Sequence, residues 1–186
     1  VDLSGISIAN TIMTSANISG ASTILTRVVS GGITGLDTAT LPTGYVARNG
    51  YLIGAGVNAA GAALSSQSLS SVNMTGIDLS GATLTSATLT SATISGANLT
   101  NAILTNAITG GGIVGASTAT LPAGYVARGA FIIGPRVSLQ NATLTGIDMS
   151  GISLTSANFT SSNLTNVILT NADISGAIFT NTTLTG

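Results

Sequence analysis

Large apolar residues recur at every fifth position over most of this chain of 186 residues. An α-helix repeats every 3.6 residues and a flat strand every two, so a period of five fits neither. On a helix, side chains five residues apart would drift by about 140° at each step and could not share one buried face. A chain that turns a corner every five residues keeps them all on its inner side. The period therefore predicts a coil with corners.

Each large apolar residue is the centre of a pentad, and a smaller residue, most often Ala, stands two positions before it, as in Ala82 and Leu84. We expect these two side chains to point inward and the other three to point outward. Four pentads would then close a square of about 20 residues, and successive squares would stack at about 4.8 Å with paired backbone groups. The centres outside the first run are Leu64, Leu69, Met74, Leu79, Leu84, Leu89, Ile94, Leu99, Leu104, Leu139, Leu144, Met149, Leu154, Phe159, Leu164, Leu169, Ile174, Phe179 and Leu184.

The pentads form three runs within one predicted solenoid spanning 1–186: residues 1–29, 57–106 and 137–186. The first run, with centres Leu3, Ile8, Met13 and Ile18, is one residue out of phase with the others. Between the runs lie two inserts, 30–56 and 107–136, which resemble each other at an offset of sixteen pentads, so that Leu41 corresponds to Leu121. Because sixteen pentads would make four coils, we expect a repeating unit of four coils and about nine coils in all.

Several pentads resemble the A-[D/N]-L-x-x consensus of the pentapeptide-repeat family, and the likeness covers roughly three quarters of the chain. The resemblance implies an all-β fold, a right-handed quadrilateral β-helix. The chain departs from the consensus where Thr precedes the centre, as at Thr83, and where Gln67 takes the place of a small residue. The best matches are ANISG at 16–20, ANLTN at 97–101, ANFTS at 157–161 and ADISG at 172–176.

Both inserts carry a Leu-Pro-x-Gly-Tyr motif that is typical of a turn. In the first insert, Asn49-Gly50 between two apolar runs predicts a hairpin. In the second insert we expect the corresponding turn at Arg128-Gly129. The insert either leaves the coil as a hairpin or forms irregular coil walls, and the sequence leaves both alternatives open.

Residue types that carry chemistry are scarce. The chain has no His and no Cys, all five acidic residues are Asp, and all four basic residues are Arg. Without His a Ser-His-Asp arrangement cannot form, and the usual zinc ligands are missing. The sequence therefore predicts no enzyme and no catalytic, cofactor-binding or metal-binding residues. The charged residues are Asp2, Asp37, Asp78, Asp148 and Asp173, with Arg27, Arg48, Arg128 and Arg136.

Three features have both a functional and a structural interpretation. The aspartates could act as acid and base, but their position before a centre favours capping of a turn. The glycine clusters Gly31-Gly32 and 110–112 lack the helix and Lys of a phosphate loop and are better explained as turns. An exposed aromatic cluster could bind a sugar or a partner, although a local core under each insert is the simpler explanation. The aromatic residues concerned are Tyr45, Tyr51, Tyr125 and Phe131.

Hydroxyl residues follow almost every centre, as at Ser80, Thr85 and Thr90, and we expect them to form ladders on all four faces. Flat Thr arrays are how several ice-binding β-helices work, so ice or surface binding is one alternative function. A neutral surface of β-favouring residues explains the same pattern.

Charge decides between the remaining functions. Charged residues make up 5% of the chain and the net charge is −1, which is low for a free soluble monomer. No basic stripe is present for nucleic acid. The DNA mimicry of some family members needs a strongly negative face that this chain lacks. We therefore expect a non-catalytic structural rod, a segment or subunit of an extracellular fibre, filament or phage-like appendage at a cell or virion surface.

The expected partners are copies of the same chain or assembly neighbours, rather than nucleic acid or a small molecule. Apolar stretches of about 20 residues, as a transmembrane helix requires, do not occur. The sequence opens at Val1 without an initiator Met or a signal peptide, so we expect a processed chain or a fragment. Its terminal pentads continue the repeat, and we expect association through coil ends or faces.

Overall fold

The computed structural model describes residue 3, residues 5–19 and residues 25–186. The described chain winds into a four-sided β-helix, in which the walls of regular coils pair with the same walls of the next coil through parallel bridges. In the pentad runs the paired residues are four pentads apart, as at Asn58↔Asp78 and Asp78↔Asn98, so four pentads close one coil as predicted. Predictions that fall on residues 1, 2, 4 and 20–24, Asp2 included, lie outside the described residues.

Each wall is a short extended segment with two inward side chains and one outward side chain between them. In one pentad Ala82 and Leu84 are fully buried, while Thr83 between them faces out and forms the bridge to the neighbouring coils. Backbone bonds run to both sides of this wall, from Thr83 N–H to the Ala62 carbonyl at 2.9 Å and from Leu84 N–H to the Ile103 carbonyl at 2.8 Å. The predicted inward and outward positions are confirmed in coils that have a neighbouring coil on each side. In the last coil, which has none after it, the predicted inward centres Ile174 and Leu184 are 46% and 58% exposed.

Centres that lie one coil apart stack along the core. Leu79 and Leu99 are both fully buried, and the rings of Phe159 and Phe179 lie 5.2 Å apart and 3° from parallel, as the spacing predicts. No helix occurs between residues 60 and 105 of the described chain.

A tight turn makes the corner between one wall and the next. Ala87 N–H donates to the Leu84 carbonyl at 3.0 Å, and Ser86 within this turn has a φ of 57°. A positive φ at the third residue is typical of a type II turn and favours Gly or Asn. Wherever the described corners have this positive φ, the residue two positions after the centre is Gly, Ser or Asn, with Arg27 and Arg136 as exceptions. The sequence carries this periodic signal, although the position was predicted only to face outward.

The sequence left open whether an insert forms coil walls or a hairpin, and each insert contains both. The first half forms walls, because Thr34 and Thr40 bridge to Ile12 and Asn17 of the preceding coil. The second half is an antiparallel hairpin. The elements are a 3-10 helix Leu36–Thr38 and strands β1 Val46–Arg48 and β2 Tyr51–Ile53, then a 3-10 helix Ala116–Thr118 and strands β3 Val126–Arg128 and β4 Phe131–Ile133.

The first hairpin turns at Asn49-Gly50 as predicted, with φ values of 49° and 75°. The prediction of Arg128-Gly129 for the second turn is wrong by one residue. Arg128 is the last residue of β3 and pairs with Phe131, so the turn is Gly129-Ala130. Gly129 takes the positive φ of 57°, which an Arg adopts less readily.

The predicted four-coil unit is also wrong. Each insert contains a hairpin whose residues lengthen one coil and do not form additional walls. The bridges make two coils from Asn58 to Asn98, half a coil from Asn98 to Ile108, and one long coil from Ile108 to Ser138. The offset of sixteen pentads is therefore three and a half coils, and the two inserts lie on opposite sides of the rod. The same effect leaves about eight coils instead of about nine.

The phase shift of the first run has two contributions. Ser7 pairs with Val29, 22 residues later, whereas Thr88 at the corresponding place before the second insert pairs with Ile108, 20 residues later. The coil that contains the first insert runs from Val29 to Asn58 and is one residue shorter than the corresponding coil at the second insert, from Ile108 to Ser138. The second insert has a third glycine, Gly110–Gly112, where the first has only Gly31-Gly32. Two additional residues between Ser7 and Val29 and one residue fewer in the first insert together leave the first run one residue out of phase.

Substitutions on the two sides of one wall should differ sharply in effect. Leu89 is 1% exposed, and Leu89→Asp would bury a charge with no partner, so we expect a loss of about 4 kcal/mol or more in the free energy of unfolding. Thr90→Asp at the adjoining corner should change it by less than about 1 kcal/mol. Urea unfolding measures both, and similar midpoints for the two variants would contradict the inward and outward assignment.

The corner geometry predicts a second pair of variants. Ser86→Gly should raise the free energy of unfolding, by up to about 1 kcal/mol, because an L-residue in the left-handed region is strained by about 1–2 kcal/mol. Ser86→Val should lower it by more than about 1 kcal/mol, because a β-branched residue tolerates that region poorly. Thermal melting followed by circular dichroism gives the order, and the reverse order would contradict this account of the corners.

Candidate functional surface

The described residues contain no group of three or more Asp, Glu, His or Cys side chains that could hold a metal ion. Helices in the described part of the chain are too short to cross a membrane.

Three of the four aspartates in the described residues act as turn caps. Asp78, Asp148 and Asp173 each accept a hydrogen bond from the backbone N–H two residues later, at 3.0, 2.8 and 3.0 Å. The asparagines at the same pentad position do likewise, as Asn98 does from Thr100 N–H at 3.1 Å. An Asx side chain before the centre thus closes the following corner, which explains the D/N position of the consensus.

These caps hold two carboxylates in their charged form. Hydrogen bonds from the Ser150 hydroxyl and backbone N–H lower the pKa of Asp148, with a smaller contribution from Arg128. The Ser175 hydroxyl and backbone N–H, together with the Thr155 hydroxyl, lower the pKa of Asp173. An exposed carboxylate with a lowered pKa is a poor general acid or base near neutral pH.

The hydroxyl coat lies at the corners of the rod instead of on its flat walls, because the residue after each centre is in the corner turn. Several of its hydroxyl groups donate within the chain. Thr75 and Thr165 donate to the side-chain oxygens of Asn73 and Asn163, both at 2.7 Å. The predicted ladders on all four faces are therefore ladders at the corners, with part of their hydrogen-bonding capacity already in use.

The tyrosines of the inserts belong to small local cores. Tyr45 and Tyr125 donate from their hydroxyl groups to the carbonyls of Ala55 and Pro135, both at 3.0 Å. Each ring packs on a glycine, Gly54 or Gly134, where an added Cβ would overlap it. Burial raises the pKa of both hydroxyls, and Arg136 opposes this at Tyr125.

The other two aromatic residues are also part of the packing. Tyr51 lies over Gly31, whose added Cβ would stand 3.0 Å from the ring, and Phe131 packs against the core of the second half of the chain. These contacts favour a structural role for the aromatic cluster.

The glycine clusters are places of close approach. Gly32 and Gly112 have positive φ values of 58° and 72° and lie directly against Asn10 and Ser91 of the preceding coil. Only a residue without a side chain fits both the backbone and the space, which supports the interpretation as turns.

One surface feature was not predicted from the sequence. Ile103, Ile108 and Val114 occupy the outward position on three consecutive walls of a single coil, and they are 49, 37 and 55% exposed. We call these three residues the apolar belt. The sequence contained the signal, since the residue before the centre is polar in most other pentads and apolar here.

A family model for pentapeptide repeats matches this chain in eight copies, over residues 55–85, 68–106, 136–171 and 154–186. The chain belongs to the pentapeptide-repeat family, and its coil is a right-handed quadrilateral β-helix.

Several solved structures resemble the chain. HetL, a pentapeptide repeat protein involved in heterocyst differentiation regulation from Nostoc sp. strain PCC 7120, is 21% identical over 98% of this chain and 88% of its own, with a TM-score of 0.41. Rfr23 from Cyanothece 51142 is 16% identical over 96% and 86%, with a TM-score of 0.20. QnrB1, a plasmid-mediated fluoroquinolone resistance protein, is 18% identical over 98% and 79%, with a TM-score of 0.27. At these identities the likeness concerns the fold alone, and no curated protein matches significantly.

The turn caps predict a pH dependence. The pKa values of Asp148 and Asp173 are lowered by folding, so their contribution to stability is present above the usual value of 3.8 and is lost as the pH falls below it. Thermal melts between pH 7 and pH 2 should show this loss, and the variant Asp148→Asn/Asp173→Asn should show less of it because an amide caps the turn in either condition. An unchanged acid profile in that variant would contradict the assignment.

Proposed function

We propose that this chain is a non-catalytic structural rod, a segment or subunit of an extracellular fibre, filament or phage-like appendage, which associates with copies of itself. The observation that carries the proposal is the apolar belt on a surface with very few charges.

Rigidity supports a structural role. Successive regular coils are joined by backbone hydrogen bonds on their walls, and stacked apolar side chains fill the interior in both halves of the chain. A solenoid of this kind has no hinge in its regular coils and keeps its outer surface in a fixed register.

Low charge supports association. With four Arg and five Asp in 186 residues, electrostatic repulsion between two rods is weak. Apolar side chains that are exposed together are typical of surfaces that contact another protein. The apolar belt runs round three walls of one coil, so neighbouring rods could be contacted on more than one side.

The alternatives have less support. Ice binding would need a flat array of free hydroxyl groups, whereas the hydroxyl coat lies at corners and part of it is bonded within the chain. DNA mimicry would need a strongly negative surface, and the net charge is −1. Catalysis would need a base beside a nucleophile, and Asp78, Asp148 and Asp173 serve as turn caps.

The test replaces the apolar belt by the residues that occupy the same walls in the preceding coil. One coil before the belt, the same walls carry Thr83, Thr88 and Thr93, so Ile103→Thr/Ile108→Thr/Val114→Thr copies a surface that the fold already accommodates. We expect the parent chain to form larger species with rising concentration in sedimentation velocity, and negative-stain microscopy to show them as rods in contact. The triple Thr variant should need about tenfold higher concentration, since about 1.4 kcal/mol of apolar burial corresponds to a factor of ten.

The converse variant Thr83→Ile/Thr88→Ile/Thr93→Val should associate at lower concentration than the parent. Far-ultraviolet circular dichroism must show the same fold in all three chains. A parent chain that stays a monodisperse monomer across micromolar concentrations would refute the proposed assembly.

A further inference from the structure

Each hairpin of the inserts has two strand edges, which its register defines. Arg48 and Tyr51 close the two-residue turn, so the next pair, Ala47 and Leu52, is the one whose backbone groups point away from the partner strand. Ala47 therefore presents its N–H and carbonyl on the outer edge along β1, and Leu52 presents its own on the inner edge along β2. The second hairpin repeats this arrangement with Ala127 and Ile132.

The inner edge is capped by buried hydroxyl groups. Leu52 N–H donates to the Ser30 hydroxyl at 2.6 Å, and in the second hairpin the Thr109 hydroxyl donates to the Ile132 carbonyl at 2.7 Å. Ser30 and Thr109 are 5% and 0% exposed, so this edge is closed to other chains.

The outer edge is capped by an arginine. Arg48 donates from Nη1 to the Ala47 carbonyl and from Nε to the Ser68 carbonyl of the next coil, both at 2.7 Å. Arg128 makes the same pair of bonds, to the Ala127 carbonyl at 3.1 Å and to the Asp148 carbonyl at 3.0 Å.

The carbonyl on the next coil belongs to a second edge. In the regular stack the carbonyl of a wall residue accepts a backbone N–H from the coil before it, as Thr88 does from Leu69. The hairpin occupies this place beside Ser68, and within the described residues no bridge joins Ser68 to a preceding coil. One guanidinium thus spans two strand edges that no backbone pairing joins, and its planar fork allows both bonds at once.

We propose that Arg48 and Arg128 are gatekeepers of these edges, and that each guanidinium prevents an extended segment of a second copy of this chain from pairing there. Exposed strand edges are templates for pairing with another chain, and charged side chains on an edge are a common means of blocking them. A pentad wall of a second copy is the natural occupant, because it already pairs in parallel with walls of this kind.

The two hairpins are not guarded equally. In the first, the Asn49 side chain also donates to the Ala63 carbonyl of the next coil at 2.7 Å. The second hairpin has Gly129 at this place and has no such side chain. Loss of the arginine should therefore open the second hairpin more than the first.

The experiment uses the full chain with the apolar belt replaced by Thr as background, so that its outcome does not depend on the proposed function. Arg128→Ala, Arg48→Ala, and Arg48→Ala/Asn49→Gly are compared with Arg27→Asn, a control that removes an arginine outside both hairpins and keeps a residue that tolerates its φ of 62°. Arg128→Lys keeps the charge but cannot make both bonds in the same geometry. The readouts are hydrogen exchange by mass spectrometry and sedimentation velocity.

In Arg128→Ala we expect exchange of the amides in 126–128 and 143–148 to become about tenfold faster, as for the loss of hydrogen bonds to a charged group, with little change in 154–164. The same variant should form concentration-dependent oligomers where the control stays monomeric. Arg128→Lys should behave similarly to a smaller degree, Arg48→Ala should be milder, and adding Asn49→Gly should bring it close to Arg128→Ala. If either the exchange or the sedimentation of Arg128→Ala equals that of the control, the proposal is overturned.

Discussion

Parallel backbone pairing between successive coils is the interaction on which the rest of this structure depends. A wall such as the one at Thr83 both donates and accepts backbone hydrogen bonds with the coil before it and with the coil after it, at 2.8–2.9 Å. Where this pairing is continuous over all four walls, successive coils have the same length of four pentads, so the corners fall at equal intervals. The corners in turn require a residue that accepts a positive φ, which is why Gly, Ser and Asn recur beside the apolar centres.

The inserts show what happens when this regularity is interrupted. Their first halves remain walls of the coil, but the hairpins break the pairing between two successive coils and create strand edges. Side chains close these edges: buried hydroxyl groups on the inner side, and Arg48 and Arg128 on the outer side. Two of the four arginines therefore have a structural role, since their guanidinium groups donate to backbone carbonyls at these edges.

Most of the distinctive side chains of the rod have structural roles. Aspartates cap corners, tyrosines fill small cores, and glycines permit close approach of coils. What remains available to a partner is the set of outward wall positions, and among these the apolar belt departs most from the polar pattern of the other coils. The family fixes the fold but leaves these positions free to vary.

The sequence by itself determined the fold class and most of the inward and outward positions, because apolar residues at a strict period of five share one buried side only if the chain turns a corner every five residues. Its composition also showed that the residue types used in a Ser-His-Asp arrangement or in zinc binding are missing. The sequence also located the inserts and the first hairpin turn, since Asn49-Gly50 has a strong local preference. Only the tertiary structure decided that the sixteen pentads between the inserts make three and a half coils, because a hairpin consumes chain without advancing the rod. The roles of Arg48 and Arg128 were equally out of reach of the sequence, because their partners Ser68 and Asp148 are brought beside them only by the stacking of coils.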